Sequence, residues 1–169
     1  MSAAAQSELP PIDASAYRHV MGHFLTGVTI ISAIDPSSGD PVGLAASSFT
    51  SVSMDPPLVL FCAGKQSASW AKIQAAGSYC VNILGADDEA LCRTFASKSL
   101  DKFEGVGWTA GPSGSPILSS ALAWIDCVMH EEVDAGDHVV ALGRVLDLGA
   151  KESSGPLAYY RGGYGRFGS

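Results

Sequence analysis

Two serines separated by one residue, Ser67 and Ser69, have the clearest chemical potential in this sequence. They stand directly before a short helical pattern at residues 70–76, which Gly77 closes. Hydroxyl groups and the unpaired backbone N–H groups of a helix start can converge on one anion. The spacing therefore predicts an anion site formed by a Ser-x-Ser loop and the beginning of a helix.

The segment before this loop is rich in small and hydroxyl-bearing residues. Residues 43–53 let the backbone approach a ligand closely, and their hydroxyl groups offer donors and acceptors at Ser47, Ser48, Thr50, Ser51 and Ser53. We expect residues 42–53 to form one polar strand. Two prolines at positions 56 and 57 end it, and the apolar run 58–62 predicts a buried strand leading into the 63–69 loop.

An amphipathic helix is predicted near the beginning of the chain, after a mobile leader at residues 1–12. Its apolar residues recur at helical spacing: Tyr17, Val20, Met21 and Phe24. We expect this helix to cover one end of a sheet, within one domain spanning residues 13–169. His19 and His23 lie one turn apart on it and could chelate a metal, but two histidines with ordinary hydrogen bonds are favoured because no thiol or carboxylate motif accompanies them.

Other stretches of the sequence predict short strands and one more helix. Residues 27–33 predict a strand, joined by the turn-rich stretch 35–41 to the next one. Residues 79–84 predict another strand, in which Asn82 makes either a structural hydrogen bond or a ligand contact. Acidic residues at positions 87–89 predict the start of a helix that ends near Ala96, with Leu91 and Phe95 on its inner face.

The second half of the chain predicts a barrel wall. Residues 105–116 indicate a long irregular connection. The segments 121–134 and 138–148 predict long strands joined across an Asp-Ala-Gly-Asp turn. His138 follows that turn, and its role is either to end a hairpin or to contact a ligand. The tail spells GxGxxG at Gly163, Gly165 and Gly168, but it lacks the βαβ unit that a Rossmann site needs. The tail is then either a segment that contacts a ligand or a glycine-rich disordered end.

Composition excludes several classes of function. Of 169 residues, 47% are hydrophobic and 16% charged, which is typical of a folded domain. The net charge of -7 disfavours nucleic-acid and anionic-membrane partners. No metal-binding motif is present, and four separated cysteines in apolar surroundings, Cys62, Cys80, Cys92 and Cys127, predict buried reduced thiols. With no membrane-spanning or signal segment in the sequence, we expect a cytoplasmic protein.

The order of these motifs resembles the short-chain flavin reductases. The resemblance runs through residues 43–70, VNIL at 81–84, DKFEGVGW at 101–108, GDH at 136–138 and the tail at 156–167. It implies a mainly β fold, the FMN-binding split barrel, which is an antiparallel Greek-key-type barrel with flanking α-helices. It further implies an NAD(P)H-dependent enzyme that reduces FMN or FAD and passes reduced flavin to a separate oxygenase of aromatic compounds. The high apolar content and the few charges predict a homodimer, because they suggest more buried surface than one small domain supplies.

The resemblance also implies site residues. Those expected to bind flavin are Ala45, Ala46, Ser47, Ser48, Cys62, Ala63, Gly64, Lys65, Gln66, Ser67, Ala68, Ser69, Asn82, Ala96, Lys98, Lys102 and Phe103. Those expected to contact the nicotinamide of NADH or NADPH are His138, Tyr159, Tyr160, Arg161 and Gly162, with His138 as the catalytic residue. Solvated surface positions remain an alternative for Lys98 and Lys102.

Two other functions are compatible with the same sequence motifs. One is a split-barrel oxidase of the pyridoxamine phosphate oxidase type, which the scarcity of arginines disfavours. The other is a protein that binds flavin or heme without turnover. In a reductase the flavin supplies the hard chemistry, so the absence of a recognisable catalytic triad is expected.

Overall fold

The computed structural model describes residues 10–99, 101–151 and 155–167. The helices of this part of the chain are α1 Ala14–Met21, α2 Ala68–Ala76 and α3 Glu89–Ala96. The strands are β1 Thr26–Gly27, β2 Thr29–Ile34, β3 Pro41–Ala46, β4 Thr50–Met54, β5 Pro57–Gly64, β6 Ser78–Ile83, β7 Trp108–Ala110, β8 Pro116–Leu118, β9 Ala123–Ala135, β10 His138–Ala150, β11 Leu157–Tyr160 and β12 Gly163–Arg166.

Seven strands form an antiparallel sheet in the order β3-β2-β6-β9-β10-β5-β4. Strands β3 and β4 are consecutive in the chain, yet they lie at opposite ends of this order. The link between them at residues 47–49 therefore crosses from one edge of the sheet to the other. Within it, the Ser48 hydroxyl accepts from the Cys62 N–H at 2.9 Å and donates to the Cys62 carbonyl at 3.2 Å. The sheet closes into the antiparallel barrel with flanking helices that the resemblance implies, which confirms that prediction.

The single polar strand predicted at residues 42–53 is wrong. The strand β3 ends at Ala46, and β4 begins at Thr50. The reason is a change of partner, because β3 pairs with β2 whereas β4 pairs with β5. The break leaves Ser47 and Ser48 exposed and outside the ladder.

The core consists of two clusters of buried side chains. In the barrel interior, the Phe61 ring meets Trp70 and Tyr79 edge to face, with centroids 5.7 and 5.2 Å away. The second cluster lies beneath helix α3 and the C-terminal strands, and it includes Phe95 and Leu157. Helix α2 buries Trp70 and Ile73 against the barrel and ends at Gly77, as the sequence predicts.

Helix α1 forms but ends at Met21, so His23 and Phe24 lie beyond it, and it does not bury its apolar face. The Asp13 carboxylate caps it by accepting from the Ala16 N–H at 2.8 Å. No residue of the helix is buried, and the exposed fractions are 58% for Tyr17, 66% for Val20 and 50% for Met21. The expectation that α1 covers an end of the sheet is therefore wrong within one chain.

The irregular connection predicted at residues 105–116 contains a short antiparallel hairpin of β7 and β8 instead. The buried carboxylate of Asp126 holds its turn. It accepts from the Ser113 backbone N–H and hydroxyl, both at 2.6 Å. Glycine and proline content alone does not reveal this, because the organising carboxylate lies in strand β9, far along the sequence.

The long hairpin of β9 and β10 confirms the Asp-Ala-Gly-Asp turn prediction. The tail is also a hairpin, in which Arg161 and Gly162 make the turn with φ angles of 50° and 80°. A glycine at the second position removes the steric cost of that conformation. The hairpin overturns the disordered alternative for residues 155–167.

Some sequence predictions lie beyond the described ranges. Residues 1–9 of the predicted leader and Gly168 of the tail pattern fall there. Residues 10–12 of the leader are exposed. None of the described helices is both long and apolar enough to cross a membrane. Among the described side chains, no cluster of three metal-ligating groups exists, and the His19 and His23 rings merely meet edge to face at 4.9 Å.

Candidate functional site

A cavity of about 570 Å³ opens between the start of helix α2, the end of helix α3 and strands β3, β5 and β10. We call it the main cavity. Its lining residues that the sequence predicts as site residues are Ala45, Cys62, Ala63, Gly64, Gln66, Ser67, Ala68, Ser69, Ala96, Lys98, Lys102 and His138. The structure therefore brings most of the predicted flavin contacts together around one opening.

The serine loop presents hydrogen-bond donors to this cavity. The Ser67 hydroxyl caps helix α2 by accepting from the Trp70 N–H at 3.2 Å. The Ser69 hydroxyl accepts from the Lys102 ammonium at 3.3 Å. Neither hydroxyl proton, and neither N–H of Ala68 and Ser69, has an acceptor among the described residues. Donors gathered at the positive end of a helix fit a phosphate group.

Lys102 is buried at the back of the main cavity, with an exposed fraction of 7%. Its ammonium donates to the carbonyl oxygens of Phe95 at 2.9 Å and Gly43 at 3.2 Å. Burial lowers the pKa of Lys102 from its ordinary value. The solvated-surface alternative is wrong for Lys102, whereas Lys98 is exposed at the rim of the cavity.

His138 stands at the other end of the main cavity, opposite Gly64 in the β5–β10 ladder. A Cβ atom built on Gly64 would lie 3.8 Å from His138 Nε2. Nδ1 of the ring is 2.8 Å from a carboxylate oxygen of Asp137, and this hydrogen bond lowers the pKa of Asp137. The Asp137 carbonyl in turn accepts from the Lys65 N–H at 3.0 Å. Asp137 thus orients the ring and leaves Nε2 for a ligand.

A second cavity of about 800 Å³, which we call the tail cavity, opens beside the tail hairpin. Its lining residues are Tyr17, Arg18, Met21, Gly22, Phe24, Thr26, Ser47, Ser48, Phe49, Thr50, Tyr159, Arg161 and Gly162. It combines the polar link between β3 and β4 with three of the residues expected to contact nicotinamide. Tyr160 is not among them, because its side chain borders a separate pocket with Leu25.

His138 shares neither cavity nor strand with the tail residues that are expected to contact the nicotinamide nucleotide. A smaller pocket instead joins His138 to Tyr17 and Arg18 of helix α1. These two helix residues also line the tail cavity. The surface of α1 therefore connects the His138 region with Tyr159 and Arg161.

Asn82 is not part of either cavity. It is fully buried, and its amide nitrogen donates to the Ser32 hydroxyl at 2.9 Å and the Ile30 carbonyl at 3.2 Å. Its amide oxygen accepts from the Leu118 N–H at 2.8 Å. Since both ends of the amide are occupied within the protein, the structural alternative holds and the ligand contact predicted for Asn82 is wrong.

Three further predicted flavin contacts lie outside the two cavities. The Ala46 side chain is buried in the barrel core. The Lys65 side chain forms an ion pair with Asp134. The Phe103 ring lies edge to face against Phe95, with centroids 4.9 Å apart.

Several lining residues escaped the sequence reasoning. In the main cavity these are Leu44, Phe95, Ser97 and Ser99. Phe95 was assigned to the core from its helical spacing, and it serves both purposes because the cavity reaches the edge of the second core cluster. Ser97 and Ser99 directly follow the C-terminal end of α3. The predicted end of that helix near Ala96 is the sequence signal that could have indicated them as lining residues.

Three of the four cysteines line neither cavity. Cys80, Cys92 and Cys127 are buried free thiols, as predicted, and burial raises the pKa of Cys80 and of Cys127 to about 12. They stay neutral thiols at physiological pH. Cys62 lines the main cavity, but it is also unpaired and only half-buried.

The known proteins that this chain resembles are flavin reductases or reductase subunits. The family described as "Flavin reductase like domain" matches residues 21–168. The chain is 50% identical over 153 residues to the HsaB reductase subunit of a flavin-dependent monooxygenase from Rhodococcus jostii, covering 90% of this chain and 77% of the relative. It is 44% identical over 164 residues to a flavin reductase of Pseudomonas putida, covering 97% and 96%.

A solved structure has the same fold. The NADH:FAD oxidoreductase SgcE6 of Streptomyces globisporus, in complex with NAD and FAD fragments, superposes with a TM-score of 0.87 at 35% identity. The superposition covers 95% of this chain and 96% of that chain.

Proposed function

The chain belongs to the flavin reductase family, and from that premise we propose that it is an NAD(P)H-dependent flavin reductase that supplies reduced FMN or FAD to a separate oxygenase. The observation that carries this proposal is the donor set of the main cavity. The acceptor roles of Ser67 and Ser69 are taken up inside the protein, so their protons remain for an anion. A flavin phosphate is such an anion.

The flavin would extend along the main cavity from this anion site. Its phosphate would bind Ser67, Ser69 and the start of helix α2. Its ring system would contact the backbone of strands β3 and β5, near Ala45 and residues 62–64. The small side chains there support close approach of a flat ring. The Ser48 hydroxyl ties the link that follows β3 to Cys62 of β5, and it would stiffen this wall.

The nicotinamide nucleotide would use His138 and the connected surface of helix α1. Arg18 and Arg161 both line the tail cavity and carry charges suited to a diphosphate. His138 offers Nε2 at the end of the main cavity, where a nicotinamide ring could meet the flavin ring. The pocket between His138 and Arg18 supports a nucleotide that spans both regions.

When bound, flavin and reduced nicotinamide would supply the hydride chemistry between them. The protein's task is to bind both molecules, orient them and keep them in reacting distance. Asp137 contributes by fixing the orientation of the His138 ring. Ser67 and Ser69 contribute by fixing one end of the flavin.

A homodimer is part of the proposal. The apolar face of helix α1, Tyr17, Val20 and Met21, is half to two-thirds exposed, and Phe24 just beyond the helix is 71% exposed. Amphipathic helices rarely leave such a face in water, so an exposed apolar patch of this kind indicates a protein interface. Since Tyr17 and Met21 also line the tail cavity, a second copy on this face would complete the wall of that cavity.

Anaerobic mixing with NADH and excess FMN tests the proposed function. A reductase reduces many flavins for each protein chain. A flavin or heme store would bind a chromophore and leave NADH unconsumed. An amine oxidase of the split-barrel type would keep its flavin bound and leave the free pool oxidised.

A further inference from the structure

The ammonium group of Lys102 has three acceptors, one each from strand β3, helix α2 and helix α3. They are the Phe95 carbonyl at 2.9 Å, the Gly43 carbonyl at 3.2 Å and the Ser69 hydroxyl oxygen at 3.3 Å. A protonated lysine has three N–H donors and no acceptor. All of its donors are therefore used inside the protein.

Two features stabilise the hydrogen-bonded ammonium, against the burial that lowers the pKa of Lys102. The Phe95 carbonyl belongs to the last turn of helix α3, where the helix dipole is negative. The side chain is only 7% exposed, so water does not compete for its donors. Lys102 thus differs from Lys98, which is exposed at the rim of the same cavity.

The hydrogen bond from Lys102 determines what Ser69 can do. A serine hydroxyl has one proton and two lone pairs. Because the ammonium occupies a lone pair and repels the hydroxyl proton, that proton must point away from Lys102. It has no acceptor among the described residues, and Ser69 lines the main cavity. The Ser69 hydroxyl is therefore a donor facing the cavity.

We propose that Lys102 is a positioning residue, which holds the Ser69 hydroxyl as a donor to the flavin phosphate and does not bind the phosphate itself. This inference rests on the proposed function. It differs from a direct lysine contact, because a direct contact would need an N–H that the three internal acceptors have already taken.

A double-mutant cycle separates these two roles. Equilibrium binding of FMN and of riboflavin, which lacks the phosphate, is measured for wild type, Ser69→Ala, Lys102→Met and the double variant. The quantity compared is the FMN preference, defined as the riboflavin dissociation constant divided by the FMN dissociation constant. A general distortion of the cavity weakens both flavins and leaves this ratio unchanged.

Each single variant is expected to lower the FMN preference by about tenfold or more, the usual size of one hydrogen bond to a charged group. The double variant should lose no more than either single variant, because both remove the same contact. Lys151→Met is the matched control. It removes the same charge and a lysine bond to the Ser119 carbonyl at 2.7 Å, away from the main cavity, and should keep the wild-type preference.

Two results would overturn the inference. One is a double variant whose loss equals the product of the two single losses, which would mean that Lys102 contacts the phosphate on its own. The other is a Lys102→Met variant with the wild-type preference. If Lys102→Met melts below the assay temperature, the whole cycle is measured at a lower temperature at which that variant is folded. A wild type that binds no flavin would instead overturn the proposed function, and this inference with it.

Discussion

Gly43 lies so close to Phe95 that a Cβ atom at position 43 would stand 2.6 Å from Phe95 Cε1. Phe95 lines the main cavity, and the Gly43 carbonyl accepts from Lys102. The absence of a side chain at position 43 therefore allows helix α3 to rest directly on strand β3. This contact sets the position of one wall of the candidate site.

Gly43→Ala should force Phe95 to move, at a cost of about 1–3 kcal/mol in the free energy of unfolding, as is usual for overpacking. The displaced ring should also weaken flavin binding. Urea unfolding and a flavin titration measure the two effects. Gly27→Ala is the matched control, because a Cβ atom there meets nothing within 4 Å. Equal stability of the two variants would refute the role of the contact.

His138→Ala should slow flavin reduction or raise the Michaelis constant for NADH by about fivefold or more, the loss expected for one net hydrogen bond. Flavin affinity should change little. Stopped-flow reduction across an NADH series measures this, with His130→Ala as the control because His130 is an exposed strand residue. Reduction kinetics identical to wild type at every NADH concentration would show that His138 merely ends a hairpin.

The Asp35 carboxylate should contribute stability that acid removes. Its hydrogen bond with Lys72 on helix α2, followed by those with Ser37, lowers the pKa of Asp35 from 3.8 to about 2. A depressed folded-state pKa gives stabilisation that is complete above the unfolded-state pKa and lost as the pH falls toward 2. Asp35→Asn should therefore flatten the loss of unfolding free energy between about pH 5 and pH 2. Lys72→Met should flatten it as well. Slopes like that of wild type in both variants would contradict the assignment.

The sequence predicts elements whose signals are local. The β9–β10 hairpin follows from its turn residues, and helix α2 follows from Ser67 before it and Gly77 after it. The site at Ser67 and Ser69 can be predicted from the sequence for the same reason. Each of these features depends on residues within a few positions of one another.

Features that depend on residues far apart in the sequence cannot be predicted in this way. The contact of Gly43 with Phe95 and the hydrogen bond from Lys102 to the Gly43 carbonyl join residues that are far apart in the chain. The sequence shows that His138 and Tyr159 are polar or aromatic and near turns, but their separation into different cavities is decided by how the tail hairpin docks. The same limit explains the broken strand at Ser47, since the choice of partner strand is not a local property.

Val20→Asp should convert a homodimer into a monomer, because a charge on the apolar face of helix α1 cannot be buried against a second copy. Sedimentation at micromolar concentration measures this, with a monomer mass of 17.4 kDa. Ser15→Asp is the control on the same helix, and Ser15 is also exposed. A wild type that sediments as a monomer would contradict the proposed interface.

The central claim is that the main cavity holds the flavin while NADH reduces it. Its most direct test is kcat/KM for FMN and for riboflavin under anaerobic conditions with NADH, in wild type and in the variant with both Ser67→Ala and Ser69→Ala. We predict many turnovers by wild type, and in the variant a fall of at least about tenfold for FMN with little change for riboflavin, because each hydroxyl contributes about 1.5–3 kcal/mol to a charged partner. Absence of NADH consumption by wild type, or an equal fall for both flavins, would contradict the claim.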